Sequence, residues 1–213
     1  MPDRFEILAR DLERIRNGEC LPPVFGADAH GFEVNPPLSE SDVTEFESRN
    51  RIRLPDDYRQ FVTRIGNGGA GPYYGLFMLE EMDNGSGFGP WGVFVGVLSE
   101  PFPHTTGWND LAGLPAESLV ETAIKRYDDQ IEAFDRKYWD TRLVNGAFPI
   151  CHLGCALRHW LIVTGPESGN VWSDCRAEYS GLSPVQSTTK PRLTFFDWYR
   201  EWLDEALSKA SSV

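Results

Sequence analysis

The sequence predicts an α+β fold in which helices pack on a mainly antiparallel β-sheet, and three observations carry that prediction. Apolar residues recur at helical spacing near both ends of the chain, as Phe5, Leu8, Leu12 and Ile15 and again as Phe195, Trp198, Tyr199, Trp202, Leu203, Ala206 and Leu207. Three short apolar runs, 148–153, 157–163 and 171–175, follow one another with no room for helices between them. A glycine-rich turn, 66–71, separates a short helical pattern from a further aromatic run. At 213 residues, with 41% hydrophobic and 24% charged residues and no tract that reads as a linker, the chain is expected to form one domain over 1–213.

Taken in order, residues 3–17 predict a docking helix that Asn17-Gly18 stops. Residues 18–38 hold four prolines and three glycines and predict an extended connection, so 1–38 is a helix plus a strap. Ser39 and Ser41 offer caps for a second helix ending near Asn50. Pro55, Asp56 and Asp57 suit the start of a third, whose apolar face is Tyr58, Phe61, Val62 and Ile65. Gly66 is then expected to take the left-handed conformation that ends a helix, with Gly68, Gly69 and Gly71 continuing the turn. The aromatic and apolar run 73–79 predicts a buried strand, and 93–98 another.

From 115 to 139 the spacing of Val120, Ile124, Tyr127, Ile131, Phe134 and Tyr138 predicts the longest helix, packed on the chain's own sheet. The runs 148–153, 157–163 and 171–175 predict strands, the last two joined as a hairpin through Gly165-Pro166-Glu167-Ser168-Gly169. Residues 176–192 read as polar connection, and Thr194 as the cap of the final helix.

The segment Leu54-Pro55-Asp56-Asp57-Tyr58 with Phe61, then Ile65-Gly66-Asn67-Gly68-Gly69-Ala70-Gly71-Pro72 and Tyr74-Gly75-Leu76, resembles the SUKH superfamily, the Smi/Knr-type family of bacterial immunity proteins and fungal cell-wall regulators. Later pieces match in the same order, among them Trp108-Asn109, Phe148-Pro149-Ile150, Gly169-Asn170-Val171-Trp172 and Trp198-Tyr199 with Trp202-Leu203. The resemblance covers about residues 39–207. It implies a helices-on-sheet domain in which Gly66, Gly68, Gly69, Gly71, Trp172, Trp198 and Trp202 are structural. It also implies a non-enzymatic protein that binds and neutralises a cognate toxin, often a nuclease or deaminase, or else a regulatory or scaffolding protein serving cell-wall or signalling machinery.

The residues themselves point away from chemistry. Two G-x-G-x-x-G strings, 66–71 and 87–92, lack the strand-to-helix context that holds a pyrophosphate. Cys151, His152, Cys155, His159 and Cys175 lie on neighbouring predicted strands, but C-H-L-G-C lacks the two-residue gap of a zinc knuckle. No serine stands in G-x-S-x-G, and adjacent acids such as Glu80-Glu81 point apart on a strand or helix. No catalytic residue, metal or cofactor is therefore expected.

Charge is unevenly placed. The net charge is −12, and the sixty residues between Arg64 and Lys125 contain seven acids and no lysine or arginine. That excludes nucleic acid as the expected direct ligand and suits a basic protein partner. Glu80, Glu81 and Asp83, with Phe88 and Trp91 as aromatic anchors, are the expected contact residues. The sequence starts without a secretory pattern and has no apolar run near membrane-spanning length, so the expected setting is the cytoplasm, away from membranes.

Overall fold

The computed structural model describes residues 2–18, 21–79 and 95–210. Among these, seven helices and a four-stranded antiparallel sheet form a single α+β domain. The helices are α1 (Arg4–Arg16), α2 (Ala27–His30), α3 (Glu40–Asn50), α4 (Asp56–Arg64), α5 (Leu119–Thr122), α6 (Ile124–Tyr138) and α7 (Phe195–Ala210). The strands are β1 (Ala147–Gly154), β2 (Leu157–Ile162), β3 (Val171–Asp174) and β4 (Leu182–Pro184), and their spatial order follows the chain.

Local chemistry sets the helix starts. Asp3 accepts from the backbone N–H of Phe5 and Glu6 while the Glu6 carboxylate accepts from the Asp3 N–H, a closed capping box. Ser39 and Asp42 make the same reciprocal pair at α3. Thr194 Oγ1 accepts from the Asp197 N–H at α7. Pro55 stands one position earlier than expected, as the cap of α4 rather than its first residue.

The sheet is buried on both faces, which is why its strands read as continuous apolar runs rather than alternating ones. Phe148, Ile150, Leu161 and Val171 face a main core shared with α1, α3, α4 and α7. Trp160, Ile162, Trp172 and Leu182 face a smaller cluster with Phe102 and Val144. In the main core, Phe61 of α4 meets Tyr199 of α7 at 4.7 Å between ring centroids, and Tyr58 meets Phe148 of β1 at 5.5 Å. Polar ties bind the helical layer at its rim: Arg200 to Asp11 at 2.7 Å and Arg64 to Asp3 at 2.6 Å. Trp172, Trp198 and Trp202 are all buried.

Beyond β1 the sheet continues as single bridges, Cys151 to Leu76, Leu76 to Gly69 and Gly69 to Val34. The glycine turn is thus stitched to one edge of the sheet. The opposite edge is closed by Trp108, which exchanges two backbone hydrogen bonds with Leu182, at 2.8 and 2.7 Å.

Several expectations need correction. Residues 73–79 are not a buried strand: only Leu76 makes a bridge, and Tyr73 and Tyr74 are exposed, because positive φ at Tyr73 and Gly75 turns the backbone there. The described part of 93–98, from Val95 on, is unpaired loop. The expected long helix breaks at Ala123 (φ −158°, ψ 62°) into α5 and α6, and nothing in the local sequence accounts for the break. The connection 18–38 contains the short α2, and 176–192 contains β4.

Candidate functional site

At the sheet edge beyond β1, two segments without regular structure are locked together and present aromatic rings to solvent. The backbone of Gly26 (φ 78°) lies so close to the chain at Tyr73 that a Cβ there would collide with the Tyr73 carbonyl oxygen. Gly75 (φ 94°) is pressed in the same way against the Gly69 carbonyl. Gly75 N–H donates to the Pro72 carbonyl at 3.1 Å, and the buried Cys151 thiol, whose pKa burial pushes up, donates to the same oxygen at 3.0 Å. A turn pinned at this many points holds Tyr73 in a left-handed conformation (φ 56°) that a tyrosine rarely adopts.

Three rings stand out from this turn. Phe25 is 62% exposed, Tyr74 47% and Tyr73 37%. Phe25 meets Tyr74 edge-on at 5.3 Å and Tyr73 at 6.1 Å, so the three form one ridge. Contiguous exposed aromatics on rigid backbone mark a contact surface.

A groove of about 480 Å³ runs beside the ridge, walled by Tyr73, Val24, Trp198 and Trp202, with Glu201 and Glu205 of α7 along its lip. His159 of β2 lies at its floor, 5% exposed, with its ring edge-on to Tyr73 at 5.4 Å and to Trp198 at 5.6 Å. Burial lowers the pKa of His159 to about 4, so the imidazole is neutral at physiological pH. Among the described residues its buried Nδ1 has no hydrogen-bond partner, and neither has the buried Nε1 of Trp202.

The glycines divide the turn's geometry differently from expectation. Gly66 and Gly71 do not have positive φ; the left-handed positions are Gly68 (φ 83°) and Gly69 (φ 95°). Gly66 and Gly71 are needed for space instead, since a Cβ would lie 2.6 Å from the Asn35 carbonyl at the first and 2.8 Å from Leu76 Cγ at the second. α4 simply ends at Ile65 with an ordinary negative φ.

The cysteines and histidines are not gathered. Cys155 is exposed at the β1–β2 turn, Cys175 lies 3.3 Å from Ser173 Oγ, and Cys151 points to Pro72. Among the described residues no three His, Cys, Asp or Glu side chains converge on a point that could hold a metal ion. Glu80, Glu81, Asp83, Phe88 and Trp91 lie outside the described residues. The ridge is hidden in the sequence because Tyr73, Tyr74 and Gly75 fall at the start of the run 73–79 that predicts a strand. Glycines bracketing a tyrosine pair after proline are the turn signal that reveals it.

The arrangement is an α+β scaffold whose described edge carries exposed rings, a groove and acidic side chains along its lip. A family model described as the SMI1/KNR4 family (SUKH-1) matches residues 37–189, which takes in α3, α4, the glycine turn and the whole sheet. The chain belongs to that family. α7 lies beyond the matched range, although it supplies much of the core. Comparison with curated proteins and with solved structures finds no match.

Proposed function

We propose that this chain is a cytoplasmic immunity protein, a non-catalytic inhibitor that binds a cognate bacterial toxin domain and covers its working surface. The observation that carries the reading is membership of the SMI1/KNR4 (SUKH-1) family over most of the chain. Two physical features support it. The net charge of −12 suits a basic partner, and toxins that act on nucleic acid are basic because their substrate is anionic. The Phe25, Tyr73 and Tyr74 ridge supplies apolar anchors of the kind that dominate protein interfaces. Among the described residues no helix is long and apolar enough to cross a membrane.

The acidic segment around Glu80, Glu81 and Asp83, with Phe88 and Trp91, starts one residue after Leu79, whose N–H is held by the Asn67 side chain at 2.8 Å. It belongs to the same proposal as a steering surface. Reversing the three acids to lysine should slow association and flatten its salt dependence, while Phe25→Ala should speed dissociation and weaken binding by about 2 kcal/mol.

The deciding experiment is co-expression with any toxin domain found to be encoded beside the gene. Restored growth and co-purification of the pair support immunity. Growth arrest that the chain does not relieve, with capture of cell-wall or signalling machinery instead, would move the protein to the regulatory branch of the family.

A further inference from the structure

The groove carries a hydrogen-bond acceptor at its lip and another at its floor. Glu205 is answered by Lys209 at 2.6 Å, but Glu201, exposed one turn earlier on α7, makes no ion pair among the described residues. In the same groove the His159 Nδ1 is buried and has no hydrogen-bond partner among the described residues. Between lip and floor stand the rings of Tyr73, Trp198 and Trp202. Tyr73, 37% exposed, stands edge-on to the imidazole at 5.4 Å.

We propose that this groove takes an arginine side chain of a protein partner, its guanidinium held between Tyr73 and Trp198, donating to His159 Nδ1 and paired with Glu201. The inference deepens the immunity reading and rests on its premise that the partner is a protein. Each element of the groove selects for arginine. Aromatic faces attract a cation, and a planar guanidinium stacks on them where a hydrated ammonium does not. A neutral imidazole with its proton on Nε2 accepts at Nδ1 and adds no positive charge to repel the cation. Guanidinium carries donors only, so one group can satisfy the imidazole and the carboxylate together. An aliphatic anchor would fill the same space and leave both unmet.

The test uses the full chain and blocked amino acids, with no toxin present. N-acetyl-arginine methylamide, its lysine counterpart and its norleucine counterpart are titrated while tryptophan fluorescence and indole N–H resonances are followed. The expected result is saturable binding of the arginine compound, weaker binding of lysine, and no saturation by norleucine in the same range. Glu201→Gln should weaken the arginine compound about three- to fivefold, the range an exposed ion pair supplies, with thermal unfolding unchanged. Equal response to norleucine, equal response to lysine, no response at all, or an unchanged Glu201→Gln variant each overturns the proposal. Arginine binding without toxin neutralisation would leave the groove standing and remove the immunity reading. Neutralisation without arginine binding would do the reverse.

Discussion

Helices α6 and α7 carry nearly the same apolar spacing and meet different fates. α7 buries Phe195, Trp198, Tyr199, Trp202, Leu203 and Ala206, because α1 and α4 lie against it and the sheet lies beneath. α6 buries only Phe134 and Tyr138, at its C-terminal end. Ile124, at its start, is 53% exposed, and Val120, across the break on α5, is 45% exposed. Periodicity therefore establishes that a segment is helical and which face is apolar, but the neighbours decide whether that face is covered.

α6 is held mainly from its end, and the fastening is polar. Arg176 and Asp174, both buried, make a two-point pair with Nε at 2.9 Å and Nη2 at 2.7 Å. Arg176 Nη1 also donates to the Tyr138 carbonyl at 3.3 Å, and its guanidinium lies 4.8 Å from the Trp139 ring. Tyr138 Oη donates to Asn109 at 2.7 Å, and burial pushes its pKa up to about 12. The largest expected effect in the molecule follows from this joint. Asp174→Ala leaves a buried guanidinium without its carboxylate and should cost about 3–5 kcal/mol by urea unfolding. A loss below about 1 kcal/mol would show that water reaches Arg176 and that α6 is fastened otherwise.

On the α7 side, Leu203→Ala should cost about 2–5 kcal/mol, since a fully buried leucine leaves a cavity that rigid aromatic neighbours cannot fill. His159, under the same helix, adds a pH dependence. Its folded pKa, about 4, lies below the ordinary value of 6.5, so between these limits the unfolded chain binds more protons and stability falls as pH falls. The loss should reach on the order of 3 kcal/mol by pH 4 and be absent above pH 7. Tyr73 packs on the imidazole, while Glu201, Glu205 and Lys209 line the groove above it. His30 and His104, also lowered by burial, contribute a slope of the same sign. Comparison of His159→Phe with the parent chain isolates the term: the variant should lose most of the slope between pH 4 and 6.5, and an unchanged slope would assign it to the other two.

The same contrast explains what could be read from the sequence. The three main strands, the hairpin, both terminal helices and the Ser39 and Thr194 caps were legible because each rests on local chemistry or on a run long enough to show its period. β4 was not, having three residues and ending at Pro184. The ridge was not, because Phe25 and the tyrosine pair are some fifty residues apart and meet only when the strap crosses the glycine turn. Positive φ is expected at Gly66 or Gly71, whereas the structure shows crowding there by Asn35 and Leu76, a tertiary fact invisible in the string of glycines.

The smallest expected effect sharpens the comparison most. If α5 and the first half of α6 are solvated, Ile124→Ser and Val120→Ser should each change stability by no more than about 0.5 kcal/mol, the ordinary range for surface positions. Helix propensity favours the parent residues little, since serine and the β-branched residues rank close together. Urea unfolding of both variants beside Leu203→Ala places the two helices on one scale, with the parent chain measured at several concentrations. A cost above about 2 kcal/mol at Ile124, falling away on dilution, would mean that a second copy covers the stripe in solution. The same cost independent of concentration would mean that the chain itself covers it. A negligible cost fits a helix whose apolar spacing continues past the point where its neighbours end.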